Sequence, residues 1–230
     1  MIKNELVKFF TPFKVCLYGG IIFIFILLDD VIFQDSTVRK LAYYDFLKSN
    51  IETLVFVLPI ILAPIVSEIF THDYESGCMK FFVIYRRREE VLFSKIIALL
   101  FITTVIIIIA FVILSLIYIG ESGGQIHINV LQPLRMIVLF LFALMPILLI
   151  YVLISVLCKN STIVSLLVFL LVIMSDFIPK VIGDITPRIF LWNWLIKGQI
   201  DELSITLFLV YMIVFIVLDV EIFNRKEIIH

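Results

Sequence analysis

The sequence predicts an all-α membrane protein with six transmembrane helices, a short interfacial helix ahead of the first, and a cytoplasmic helix between the second and third. Three observations lead there. Of 230 residues, 63% are apolar and only 16% charged, with a mean hydropathy of +1.18, well outside the composition of soluble domains. The apolar residues gather into six runs, each near or above the ~18 residues needed to cross a hydrocarbon layer. The charges lie between the runs, most densely over residues 68–95.

Taken in order, residues 1–14 put Ile2, Leu6, Phe9 and Phe10 on one helical face and Lys3, Glu5 and Lys8 elsewhere. That pattern suits a helix lying in the inner interface. Residues 15–33 form the first span, with Asp29 and Asp30 near its far end. No small-x-small cleavage site follows, so this run is expected to stay as a membrane helix rather than a removed leader. Residues 34–50 read as a polar connection in which Tyr43 and Tyr44 suit an interface. The second span is 53–70, expected to bend at Pro59 and Pro64 because each removes a backbone donor.

Residues 96–120 are an uncharged third span, and 121–135 a polar loop containing glycine and proline. The fourth span, 136–158, holds Pro146, and a tight Lys159–Asn160 turn leads into the fifth, 161–179. Residues 181–202 carry Trp192 and Trp194, which suit an interfacial or re-entrant helix. The sixth span is 203–223, followed by a short tail.

Orientation follows from the basic residues. With the N-terminus inside, inner segments hold eleven of the 18 Lys and Arg in the shorter total length, so both termini are expected in the cytoplasm. The chain reads as one domain, residues 1–230. Its net charge of −1 gives no field that would recruit nucleic acid. Three cysteines (Cys16, Cys78, Cys158) are too few for a disulfide framework.

Enzyme chemistry finds little to stand on. The sequence has no phosphate-binding glycine loop, no His-Glu-x-x-His and no Cys-x-x-Cys. The three histidines (His72, His127, His230) fall outside the spans on both sides, so a metal site is not expected. Acidic residues in or at the ends of spans are Asp29, Asp30, Glu68, Asp176, Asp219 and Glu221. A carboxylate deep in a membrane is costly and marks a partner or a water path. Four of them, Asp29, Asp30, Asp219 and Glu221, read better as span ends satisfied by water or a neighbouring base. Glu68 and Asp176 stand evenly between that reading and a polar lining of a path.

The densest charge surrounds an apolar helix candidate at 78–85, with Glu75 and Gly77 before it and Arg86, Arg87 and Arg88 after it. The arginines alone would serve as a topological anchor or a contact for anionic lipid. The apolar helix adds something else, since a short amphipathic helix held between two spans suits insertion into a groove on a partner.

These residues resemble the inner loop of ABC-2-type transporter permeases, in a small six-helix form like those of bacteriocin-immunity and peptide exporters. That loop often reads Glu-x-Gly-Thr, an apolar helix, Ser-Arg, and a Lys seven residues later. Here Glu75-Ser76-Gly77, the helix at 78–85, Arg88 and Lys95 take those places. Cys78 stands where the family has Thr, and Tyr85-Arg86-Arg87 where it has Pro-x-Ser. Ile2-Lys3-Asn4-Glu5-Leu6 is similar to the family's interfacial helix, and the run from Phe223 to Ile228 to its tail.

The resemblance implies a permease without its own nucleotide site, pairing with a second copy or a similar permease and binding two separate ATPase subunits, which hold the ATP and Mg. Residues Glu75, Gly77, Met79, Phe81, Phe82, Tyr85, Arg87, Arg88 and Lys95 would couple the ATPase to the membrane helices. The path would lie at the dimer interface, walled largely by the second and fifth spans. Those spans are nearly all Ile, Leu, Val and Phe, which suits export of a hydrophobic or amphipathic peptide across the plasma membrane. Small drugs, ions and lipid-linked glycans are the other substrates in view. The alternative from another class is a non-transporting adaptor or channel-like subunit whose charged segment recruits a cytoplasmic partner.

Overall fold

The computed structural model describes residues 2–33, 43–121, 131–158, 160–182, 187–198 and 200–225. Every regular element among them is helical: α1 (Ile2–Phe9), α2 (Pro12–Phe33), α3 (Tyr43–Glu75), α4 (Met79–Tyr85), α5 (Arg88–Glu121), α6 (Leu131–Leu157), α7 (Ser161–Ile182), α8 (Arg188–Leu191), a π-helical turn (Trp192–Ile196) and α9 (Glu202–Arg225). Helices α3, α5, α6 and α9 are long and apolar enough to cross a membrane, and shorter apolar helices run over Pro12–Leu28 and Ser161–Met174.

The helix expected over residues 1–14 is shorter, since α1 ends at Phe9 and residues 12–14 already belong to α2. Pro12 has no N–H to donate and occupies the first position of α2, where none is needed. The starts of α3, α5 and α6 also move outward from the sequence reading. The second span lies within a helix of 33 residues, roughly 50 Å at 1.5 Å per residue. Part of the connection read as polar is therefore helix from Tyr43 onward. Tyr43, Phe46, Leu47, Asn50, Ile51 and Leu54 are all buried at helical spacing, and Tyr43 shares a hydrogen bond with Ser115 on α5 at 2.8 Å. Helix α5 begins at Arg88, ahead of the apolar run, because Val91, Leu92 and Lys95 all turn inward. Helix α6 begins at Leu131, within the segment read as a loop. Pro59, Pro64 and Pro146 sit inside helices that each remain one element.

Helix α3 is the centre of the bundle. It packs on α7, α6, α5 and α2, while α9 sits against α6 and α5 at the edge. The two tryptophans do lie on a short helical segment. Trp194 is buried against Phe190 and Phe208, and Trp192 faces outward. The side chains of Asp29, Asp30 and Asp176, and the tail beyond Arg225, lie outside the described residues.

Candidate coupling junction

Helix α4 hangs between the end of α3 and the start of α5, and its connections follow from three local features. Gly77 ends α3 in a left-handed conformation, φ +70°, that L side chains resist. Its N–H donates to the Tyr74 carbonyl at 3.1 Å. Cys78 then takes the position before α4 without a side-chain cap, and Arg86 leaves the helix in extended conformation, its N–H donating to the Phe82 carbonyl. Glu89 and Glu90 stand in the first turn of α5, where carboxylates complement the helix dipole.

Seven residues make two turns, and the two turns have two faces. Met79, Phe82 and Val83, at i, i+3 and i+4, pack into the core. Phe81, Ile84 and Tyr85 lie on the opposite side, 65%, 72% and 83% exposed. This short helix thus carries an outward apolar trio beside the exposed Arg86 and Arg87, covered by no other described residue.

Behind α4 lies an ionic cluster that ties three elements together. The Lys95 ammonium on α5 is fully buried and bonds Asp73 Oδ2 in the last turn of α3 at 2.5 Å. It also donates to the Ile69 carbonyl, lies 5.8 Å from the centre of the Phe70 ring and is 3.7 Å from Glu5 of α1. The second Asp73 oxygen accepts from Lys8 of α1 at 3.0 Å. Lys8 is also 3.5 Å from Glu5. On α2, Lys14 pairs with Glu68 and donates to the Lys8 carbonyl at 3.2 Å. Partial burial alone would lower the Lys8 ammonium, but its hydrogen bond to Asp73 and the Glu5 charge outweigh that and raise its pKa above the usual lysine value. Its contribution to stability is therefore complete at neutral pH and fades only as pH climbs through that raised value.

A second tie runs from the same end of α3 to α7. Glu75 accepts from the Ser161 N–H at 2.6 Å, so a side chain of α3 caps the first turn of α7. Asn160 adds its own cap on Thr162 and Ile163 at 2.9 and 3.3 Å. Below it Ser67 donates to the Ser161 carbonyl at 2.9 Å, and Ser165 donates to Ser67 at 3.1 Å. Small hydroxyl residues let two helices approach closely within a membrane. A third tie joins α5 to α9, where Arg88 donates to the Asn224 carbonyl and the Asn224 amide donates to Glu89 at 3.4 Å.

The coupling candidates therefore divide. Phe81, Tyr85 and Arg87 face outward, and Phe82 is half-buried on the seated side. Met79 and Lys95 are wholly enclosed, so neither presents a surface to a partner. Glu75 and Arg88 are spent on α7 and α9. Glu68 is held by Lys14 at the α2–α3 contact. Two of the four acidic residues read as solvated span ends now part company. Glu221 pairs with Arg225 in the open, whereas Asp219 is fully buried and neither of its oxygens has a hydrogen-bond partner among the described residues. The reading of Asp219 as solvated is thus corrected, because its side of α9 is the one turned onto the bundle.

Residues 1–176 match the family described as ABC-2 family transporter protein. The chain belongs to the ABC-2 transporter family. The matched stretch runs from α1 well into α7 and includes α4, the ionic cluster and the Glu75 cap. No curated protein matches the chain. As an ABC-2 permease, it is a multi-pass membrane component of a transporter, and permeases of this family work with an ATPase subunit. Sequence reasoning missed what stands behind α4, namely the pairing of Lys95 with Asp73, Glu5 and Lys8. The available signal was the paucity of lysine in apolar helices, which makes any Lys that opens a span a residue in need of a named partner.

Proposed function

We propose that this chain is the membrane-spanning subunit of an ATP-driven exporter in the plasma membrane, with α4 as the element on which a separate ATPase subunit acts. The observation that carries the reading is the two-faced geometry of α4, seated by Met79, Phe82 and Val83 and offering Phe81, Ile84 and Tyr85 outward. A push on that face reaches α3 and α5 directly, α1 through the Lys95–Asp73–Lys8 cluster, and α7 through Glu75. Rigid helices fastened at one end move as bodies. In this reading six spans cross the membrane with both termini in the cytoplasm, and two permeases meet with two ATPase subunits, which bring the ATP and Mg.

Helix α7 supports the second copy and the cargo. It turns Ile163, Leu166, Phe169, Leu170 and Ile173 away from its own bundle, an apolar wall suited to a hydrophobic or amphipathic peptide and unsuited to a sugar or hydrated ion. The test is copurification from mild detergent of the permease with its ATPase, comparing the native chain with Phe81→Asp/Ile84→Asp. The native chain should retain the ATPase and the variant should lose it at equal expression. Equal recovery from both would overturn the role of α4. Export from inverted vesicles of an amphipathic peptide, compared with a hydrophilic one of equal length, checks the cargo class.

A further inference from the structure

At the opposite end of α3 from α4, a cavity of about 350 Å³ opens between the start of α3, the first turns of α6 and the π-helical turn. That volume falls in the range of small-ligand sites, about 300–1,000 Å³. Its lining separates by chemistry. Met136, Leu139, Leu195 and the Trp194 ring are apolar, and Tyr44, Gln132 and Arg135 bring polar groups. The indole is fixed in place. Its N–H donates to Ser204 at 3.2 Å, and its ring packs on Phe190 and Phe208 at centroid distances of 5.5 and 5.3 Å. It offers a rigid apolar wall rather than a donor.

Arg135 is exposed at this cavity, and no carboxylate among the described residues pairs with it. On α6 the residues at i+3 and i+7 from it are Val138 and Phe142, both outward-facing. A guanidinium with no carboxylate partner among the described residues thus stands at the head of an apolar strip that descends along the bundle surface. Guanidinium matches the paired oxygens of a phosphate, and tryptophan and tyrosine belong at headgroup depth.

We infer that this cavity binds an anionic phospholipid of the leaflet farther from α4. The phosphate lies on Arg135 within reach of Gln132 and Tyr44, the glycerol region lies against Trp194, and one acyl chain follows Val138 and Phe142. A lipid fits better than a peptide terminus because charge and tail leave the cavity along one lipid-facing strip, with no need for a second polar exit. The inference stands on the cavity alone and holds whether or not α4 docks an ATPase.

The test is native mass spectrometry of the full chain after delipidation, with phosphatidylglycerol or phosphatidylcholine added back. Native protein and Lys48→Ala should both retain phosphatidylglycerol in preference, by about fivefold, the influence of one basic residue at an anionic interface. Arg135→Ala should lose the preference, and Arg135→Lys should keep part of it. Equal retention of the two lipids by the native chain would overturn the site. So would an unchanged preference in Arg135→Ala, or an equal loss in Lys48→Ala, which removes a charge from the same end without touching the cavity. Arg135-dependent binding of an amphipathic peptide through its free carboxylate, without phosphatidylglycerol retention, would overturn the lipid in favour of cargo.

Discussion

Helices α3 and α9 are both long and apolar enough to cross a membrane, yet the protein uses them in opposite ways. Over its most apolar stretch α3 is 72% buried, and α9 only 11%. Each also carries one fully buried aspartate. Asp73 on α3 is held by two lysines from two other helices, while Asp219 on α9 has neither oxygen partnered among the described residues. The contrast shows that in a membrane chain apolarity does not distinguish a core helix from a peripheral one, because lipid tails are as apolar as leucine. What distinguishes them is where the polar groups find partners.

The largest expected effect sharpens the aspartate pair. Lys95→Ala strands Asp73 and Glu5 in a buried site with Lys8 alone, and removing one partner of a buried pair costs about 3–5 kcal/mol. Thermal unfolding in detergent should show a large drop, and the double change Asp73→Asn/Lys95→Met should recover much of it. Asp219→Asn should leave the midpoint unchanged or raise it, since it replaces a buried carboxyl group that no side chain among the described residues satisfies. A loss like that of Lys95→Ala would break the contrast and show that Asp219 acquires a partner in the assembled transporter.

Next in size is packing. Leu58 is wholly enclosed near the middle of α3, and Ile213 on α9 is 64% exposed. Leu58→Ala should cost about 2–5 kcal/mol through lost contacts and the cavity left behind, whereas Ile213→Ala should stay within about 0.5 kcal/mol, as for other surface changes. Unfolding midpoints of the two variants in the same detergent measure the difference. A substantial loss for Ile213→Ala in bilayers but not in detergent would mean that α9 is covered by another protein there.

Much of this was legible beforehand, and the reasons differ by element. The apolar helices, the short amphipathic α1 and the short helix before Arg86 could be read because each rests on local pattern: run length, spacing of apolar residues, and a glycine at a helix end. The extension of α3 back to Tyr43 and of α5 to Arg88 was not legible. Both ends are helical only because other helices bury them, as Ser115 and Tyr118 do for Tyr43. The same holds for Met79 and Lys95, whose type fits a docking segment and whose direction is set by what lies behind it. Asp219 was misread for a related cause. Distance from a span end is a sequence property, but the face a side chain turns to is a property of the packed bundle.

The smallest expected effect concerns the link between α3 and α7. Glu75→Ala deletes a cap made by another helix, which is worth about 0.5–2 kcal/mol by the scale of helix N-caps. Asn160 still caps Thr162 and Ile163, so α7 should form and the loss should lie at the lower end. The informative readout is therefore coupling rather than stability. If Glu75 transmits motion from the α4 end of α3 into α7, the variant should hydrolyse ATP with its ATPase at near-native rates while export falls. Glu75→Gln, which keeps an oxygen for the Ser161 N–H, should restore most of that export. Parallel loss of hydrolysis and export in both variants would place Glu75 in recruitment of the ATPase, and the hydrogen bonds of Ser67 with Ser161 and Ser165, with the apolar packing around them, would then join α3 to α7.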